Sequence, residues 1–195
     1  IIKIDTLEKL SKDKLSLDLI LMIFPELKNI KIFSKLKSID KELLKEKDFI
    51  FLLSLMIIDE TDNTDYFLYK YNISKKNQKR IKSIYNFFIE NKNLKTFTKD
   101  NMNKVFYYYG KEVTLDIISF KTIRLKKINS SLIELIKHYE NIKVPLMPVN
   151  ADLLMKKYEI PEGKQLGKKL KIIEEEWVKN NFKISDKQID IIINS

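Results

Sequence analysis

The chain has 195 residues, 44% of them hydrophobic and 33% charged, which excludes a disordered segment and leaves enough chain to bury a real core. Its apolar stretches are too short to span a bilayer, and the absence of cysteine excludes a disulfide framework, a thiolate nucleophile and a cysteine-ligated zinc site. A formal net charge of +10 points to anionic partners, nucleic acid above all, although only Arg80 and Arg124 are arginines and a lysine-rich composition explains the charge equally well.

Three glycines and four prolines are too few for the turns of a sheet-rich fold. The expected class is therefore all-α, a multi-helix array of short amphipathic helices. The opening Ile1-Ile2-Lys3-Ile4 has neither an initiating methionine nor a signal-peptide pattern and reads as the start of a fragment of something longer. A cytoplasmic location fits the lack of cysteine.

In chain order, Leu17, Leu21 and Phe24 share a helical face that Pro25 interrupts. Leu27, Ile30, Phe33 and Leu36 continue at i, i+3 spacing, and a third helix is expected over 40–58, closed by the polar stretch 59–64. Ser74 is placed to cap a helix that turns Ile81, Ile84, Tyr85 and Phe88 inward. Thr98 caps the next, with Met102, Val105, Phe106 and Tyr109 as its apolar stripe before Gly110 stops it. Val113, Ile117 and Phe120 have helical spacing, yet their β-branched neighbours also suit a strand. A short helix over 131–140 holds the single histidine, His138.

Val144-Pro145-Leu146-Met147-Pro148 must be extended, because proline disfavours a helical residue before it. This marks a boundary between a helical body, 1–143, and a smaller helical tail, 144–195. The tail reads as a helix from Asn150, a Pro161-Glu162-Gly163 turn, a long helix to about Asn180 and a last helix with a capping box at Ser185 and Gln188.

Catalytic chemistry is not visible in this sequence. His138 has no nucleophile beside it in an ordinary amphipathic helix, and the glycines form no phosphate loop. The acidic run 59–65 lacks the central glycine and closing glutamate of a calcium loop, and Glu174-Glu175-Glu176 reads as a charged helix face. No catalytic residue and no metal ligand is assigned.

Two basic clusters remain. Lys75, Lys79 and Arg80 lie on the helix after Ser74, where a solvated face is the plainer explanation. The second opens the long helix after Gly163. Leu166, Leu170, Ile173 and Trp177 form its inward stripe, which leaves Lys164, Lys168 and Lys171 together on another face with Lys169 beside them. Lysines at a helix start oppose the macrodipole, so this arrangement costs stability in isolation and suits a phosphate. Gly163 allows close backbone approach, and Gly167 leaves room for a ribose or for a packed helix.

The same stretch carries a resemblance. Pro148, Asp152, Leu153, Ile160, Pro161, Gly163, Gly167, Leu170, Glu174 and Trp177 form a pattern similar to the carboxy-terminal region of bacterial class II tRNA nucleotidyltransferases and poly(A) polymerases. It is specific over 144–182 and looser upstream, where Phe24-Pro25-Glu26-Leu27 and the run 71–80 resemble the family's helical body. The chain departs from the pattern at Asn150-Ala151, where the family places a glycine before the Asp-Leu pair. The family's catalytic motifs and its nucleotide-selecting motif are absent and are expected before Ile1.

The resemblance implies a helical body and tail that hold RNA, in particular tRNA, while a separate head adds nucleotides to the 3′ end. It implies Mg2+ and CTP or ATP for that head, no cofactor for this portion, and no activity of this portion alone. Lys164, Lys168, Lys169, Lys171, Gly163 and Gly167, with Lys75, Lys79 and Arg80, are the expected backbone contacts. A helix-turn-helix around Ile160-Pro161-Glu162-Gly163 also suits a helix-hairpin-helix module gripping DNA, and a helical protein-interaction scaffold is the third alternative.

Overall fold

The computed structural model describes residues 4–91 and 94–194. Among the described residues the chain forms eleven α-helices and two 3-10 segments, with no strand. The all-α expectation holds, and the stretch after Gly110 is helical. No helix among the described residues is long and apolar enough to cross a membrane.

The helices are α1 (Ile4–Lys12), α2 (Lys14–Ile23), α3 (Ser38–Lys45), α4 (Phe49–Ile57), α5 (Asn63–Lys70), α6 (Lys75–Glu90), α7 (Lys99–Arg124), α8 (Ser130–Asn141), α9 (Ala151–Tyr158), α10 (Lys164–Lys179) and α11 (Asp186–Asn194). Most begin with a side chain that can accept from an unpaired amide. Ser74 accepts from Asn77 N at 3.4 Å, Thr98 from Asn101 N at 3.3 Å, and Asn150 from Leu153 N at 2.8 Å. Each such cap is worth about 1 kcal/mol. Asn150 does this at φ −124°, an ordinary extended conformation. Where the resembling family has glycine, this chain therefore uses a side-chain cap rather than unusual backbone angles.

Three local expectations are corrected. The segment after Leu27 is a 3-10 helix, Ile30–Lys35, in which i and i+3 eclipse, so Ile30 and Phe33 are buried together without a full α-helical face. The single helix expected over 40–58 is two, because Asp48 accepts from Phe51 N at 3.0 Å and starts α4 afresh. The stretch closing at Thr64 instead starts α5 at Asn63, whose buried amide donates to the carbonyls of Glu26 (2.9 Å) and Ile57 (2.7 Å). Gly110 breaks its helix as expected: its φ of 80° and ψ of 176° are non-helical, and a second helical stretch follows it directly to Arg124, the two forming α7 across a kink.

Apart from Trp177 and Val178, the buried apolar side chains fall into two clusters. The larger gathers residues from Leu7 to Tyr139, with α4 at its heart, buried from Phe51 through Ile57 as a helix apolar but for Ser54 must be. The smaller consists of Val149, Leu154, Leu166, Ile173 and Ile189, contributed by α9, α10, α11 and the segment before them.

A seam of aromatic rings lies between α7 and the end of α10. Trp177 meets Tyr107 edge-on at 5.2 Å, and Phe182 completes the group at 5.0 Å from Trp177. Tyr107 donates to Glu174 at 2.7 Å, and burial followed by that bond pushes its phenol up to about 12. Asn181 and Phe182 both adopt positive φ, at 54° and 63°. Non-glycine residues rarely do so, and here Phe182 N bonded to Trp177 O (2.8 Å) and Asn181 Nδ2 bonded to Asp100 (2.8 Å) hold them.

Candidate nucleic-acid interface

The inward stripe of α10 is seated as its spacing requires: Leu166, Ile173 and Trp177 are buried and Leu170 is partly so. That fixes the rotation of the helix and turns Lys164, Lys168 and Lys171 to solvent. Gly163 is the N-cap residue, with φ 151° and ψ −167°, and no side chain accepts from the amides of the first turn. That turn carries no acid. The first turn therefore brings no counter-charge of its own to the positive end of the helix, and its uncapped N–H groups sit beside the exposed Lys164.

Among the described residues the side chains of Lys164 and Lys168 have no ion-pair or hydrogen-bond partner, and Lys171 stands 3.9 Å from Glu175 on the exposed face. Lys169 differs. It is half-buried, and its ammonium donates to the Ile192 carbonyl at 2.8 Å, tying α10 to the end of α11. It belongs to the packing of the smaller cluster, apart from the exposed face.

The glycines divide as well. Gly163 occupies the positive-φ region that glycine tolerates best, while a Cβ on Gly167 would meet nothing within 4 Å. Packing of a neighbouring helix therefore does not explain a glycine at this point of α10. Glycine inside a helix costs about 1 kcal/mol relative to alanine.

The α6 cluster separates in the same way. Lys75 and Lys79 are exposed, and their side chains have no partner among the described residues. Arg80 is turned inward: its Nε donates to Asp116 at 2.7 Å, and its Nη1 stands 2.6 Å from Asp48 and 3.0 Å from Glu112. Lys47 completes the group at 3.0 Å from Asp116. Burial works against the guanidinium charge, but the bonds to Asp116 and Asp48 more than offset it and hold the pKa above its ordinary value. Arg80 is thus placed as the hub of an internal ion cluster. The Lys75 and Lys164 groups are not brought into one site; α6 feeds the larger apolar cluster and α10 the smaller.

Beside Lys79 lies a feature the spacing misassigned. Tyr109, expected in the apolar stripe of its helix, is 53% exposed, as is Tyr108, and both line a cleft of about 220 Å³ with Lys76, Lys79 and Ser83. The Gly110 kink ends the helical register just after them, so Met102, Val105 and Phe106 face inward while the tyrosines do not. His138 packs edge-on against Tyr139 at 5.0 Å, and burial followed by the nearby Lys99 lowers its pKa. Among the described residues no group of three or more His, Cys, Asp or Glu side chains is placed to hold a metal ion.

No curated protein and no solved structure matches the chain. Residues 41–191, which include α4 to α10 and every basic residue discussed above, match the family described as tRNA nucleotidyltransferase domain 2. The chain belongs to that family.

Proposed function

We propose that this chain is the RNA-holding helical portion of a CCA-adding tRNA nucleotidyltransferase or poly(A) polymerase, with the larger apolar cluster as body (1–143) and the smaller as tail (144–195). A catalytic head elsewhere in the protein would supply Mg2+ and CTP or ATP. The described residues offer no metal-binding group, so no reaction step is assigned to them.

The observation that carries the reading is the start of α10. Uncapped amides, the positive end of the dipole and three exposed lysines converge there, in a chain whose family acts on tRNA. An A-form helix is recognised mainly through its phosphates and 2′-hydroxyls, a task for lysines and free amides rather than base-reading side chains. Within this reading Lys164, Lys168 and Lys171 contact the backbone, Gly163 and Gly167 permit its approach, and Lys75 and Lys79 make weaker contacts. Lys169 and Arg80 serve packing instead.

The test is binding of labelled tRNA at two salt concentrations, with duplex DNA as competitor. The variant carrying Lys164→Glu, Lys168→Glu and Lys171→Glu should fold normally, bind tRNA more weakly and show a shallower salt dependence. Unchanged binding by the folded variant would remove the assignment. Equal competition by duplex DNA would favour a helix-hairpin-helix grip on DNA.

A further inference from the structure

A second concentration of positive charge lies on the larger apolar cluster, away from α10. A cleft of about 530 Å³ opens between the 3-10 helix Ile30–Lys35 and the end of α7, lined by Lys28, Lys31, Lys35, Lys37, Arg124 and Lys126 and by no carboxylate. Its remaining walls are Asn29 and the apolar Ile32, Leu36, Ile123 and Leu125.

Three of the six cations have structural partners. Lys37 donates to the Leu125 carbonyl at 2.6 Å, Arg124 donates to the Ile58 carbonyl and lies over the Phe120 ring, and Lys28 stands 3.4 Å from Asp59. The first two fit the ordinary use of cations at a helix carboxyl end, where the carbonyls and the dipole are negative, and the third is an ion pair with a side chain. That explanation does not reach Lys31 and Lys35 on the facing 3-10 helix, nor Lys126. All three are exposed, and their side chains have no ion-pair or hydrogen-bond partner among the described residues. With the Leu125 carbonyl met by Lys37 and the Ile58 carbonyl by Arg124, the ammonium groups of Lys31, Lys35 and Lys126 are left to repel one another across the cleft. A concave site of a single sign focuses field and concentrates counter-ions.

We propose that this cleft is a phosphate-binding site, separate from the start of α10, in which Lys31, Lys35 and Lys126 take phosphate groups. It rests on the RNA reading for the source of the phosphate, the RNA backbone; a free oligophosphate would offer the same chemistry.

The experiment uses the whole chain and a variant carrying Lys31→Glu, Lys35→Glu and Lys126→Glu, with a Gln version as control. None of the three side chains has a partner to lose, so the helical circular dichroism should be unchanged. Labelled tRNA is titrated over a range of salt, and inorganic tripolyphosphate is titrated calorimetrically. With three contacts removed, the slope of log affinity against log salt should fall by about 2 to 3. Wild-type slope and affinity in both variants, with tRNA still bound, would overturn the cleft site and leave the proposed function intact. If the wild-type chain binds no tRNA, the proposed function fails. The cleft is then judged by tripolyphosphate: heat lost in the variants supports a site for free phosphates, and no binding to wild type overturns it.

Discussion

Replacing Arg80 by methionine isolates the internal ion cluster from any role in holding RNA. Asp116 is 1% exposed, and the change leaves it with Lys47 alone. Stranding one partner of a buried ion pair costs about 3–5 kcal/mol, and the remaining Lys47 bond puts the loss near the lower end, about 3 kcal/mol. The lost contacts to the half-exposed Asp48 and Glu112 add about 0.2–1 kcal/mol each. For a chain of this size each kcal/mol moves Tm by roughly 2–4 °C, so a fall of about 10 °C is expected. Urea unfolding at 25 °C and thermal melts followed by circular dichroism measure both quantities. In the double variant Arg80→Met, Asp116→Leu, part of the loss should return, because the buried carboxylate is gone and only the partly buried Lys47 loses its ion-pair partner. Kept cold and folded, Arg80→Met should bind tRNA as the wild type does, whereas Lys79→Glu should leave stability alone and weaken binding. A stability loss under about 1 kcal/mol, or a double variant no better than the single, would refute the reasoning.

Two glycines a turn apart should respond with opposite signs. Gly167→Ala adds a methyl group into open space and should raise stability by about 0.5–1 kcal/mol while lowering tRNA affinity; Gly163→Ala forces φ 151° on a side-chain-bearing residue and should cost about 1–3 kcal/mol in the same urea assay. His138 offers a pH test, since it is the only imidazole in the chain. Burial followed by the nearby Lys99 lowers its pKa in the folded protein, so the folded state binds fewer protons than the unfolded one. Its contribution is complete above the ordinary value of 6.5 and is lost as pH falls through the lowered value. The one imidazole resonance in proton NMR should titrate below 6.5, and His138→Asn should flatten stability over that window; titration at or above 6.5 would contradict the structure.

The parts of the fold legible in the sequence are those decided locally. Ser74, Thr98, Asn150 and Ser185 act as caps because capping needs only a short side chain and the next turn of amides. The stripe of α10 was legible because four apolar residues at helical spacing leave one way to turn. The break before α4 was hidden because Glu46 to Asp48 interrupt a pattern that reads as continuous, and only the Asp48 cap decides it. The start of α5 depends on Asn63 reaching Glu26, 37 residues away in sequence. Arg80 looked like its lysine neighbours because charge type carries no information about direction; Asp116 pulls it inward from 36 residues along the chain. The basic cleft was invisible for the same reason. Its two walls are as far apart in sequence as Lys37 and Leu125, 88 residues, and no window spans them. Between the two walls, no short stretch looked unusually basic in so lysine-rich a chain.

The aromatic seam gives the molecule an optical reporter of its own. Trp177 is the only tryptophan in the chain, is 2% exposed, and sits where α7 meets the end of α10, held between Tyr107 and Phe182. Its emission therefore comes from one place, the joint between the two apolar clusters. Any event that parts the joint while leaving each cluster folded would wet the indole and shift its emission to longer wavelength, with the helical circular dichroism unmoved. Global unfolding would change both together. The two signals separate movement between the clusters from loss of structure within them, without a label and without altering a residue.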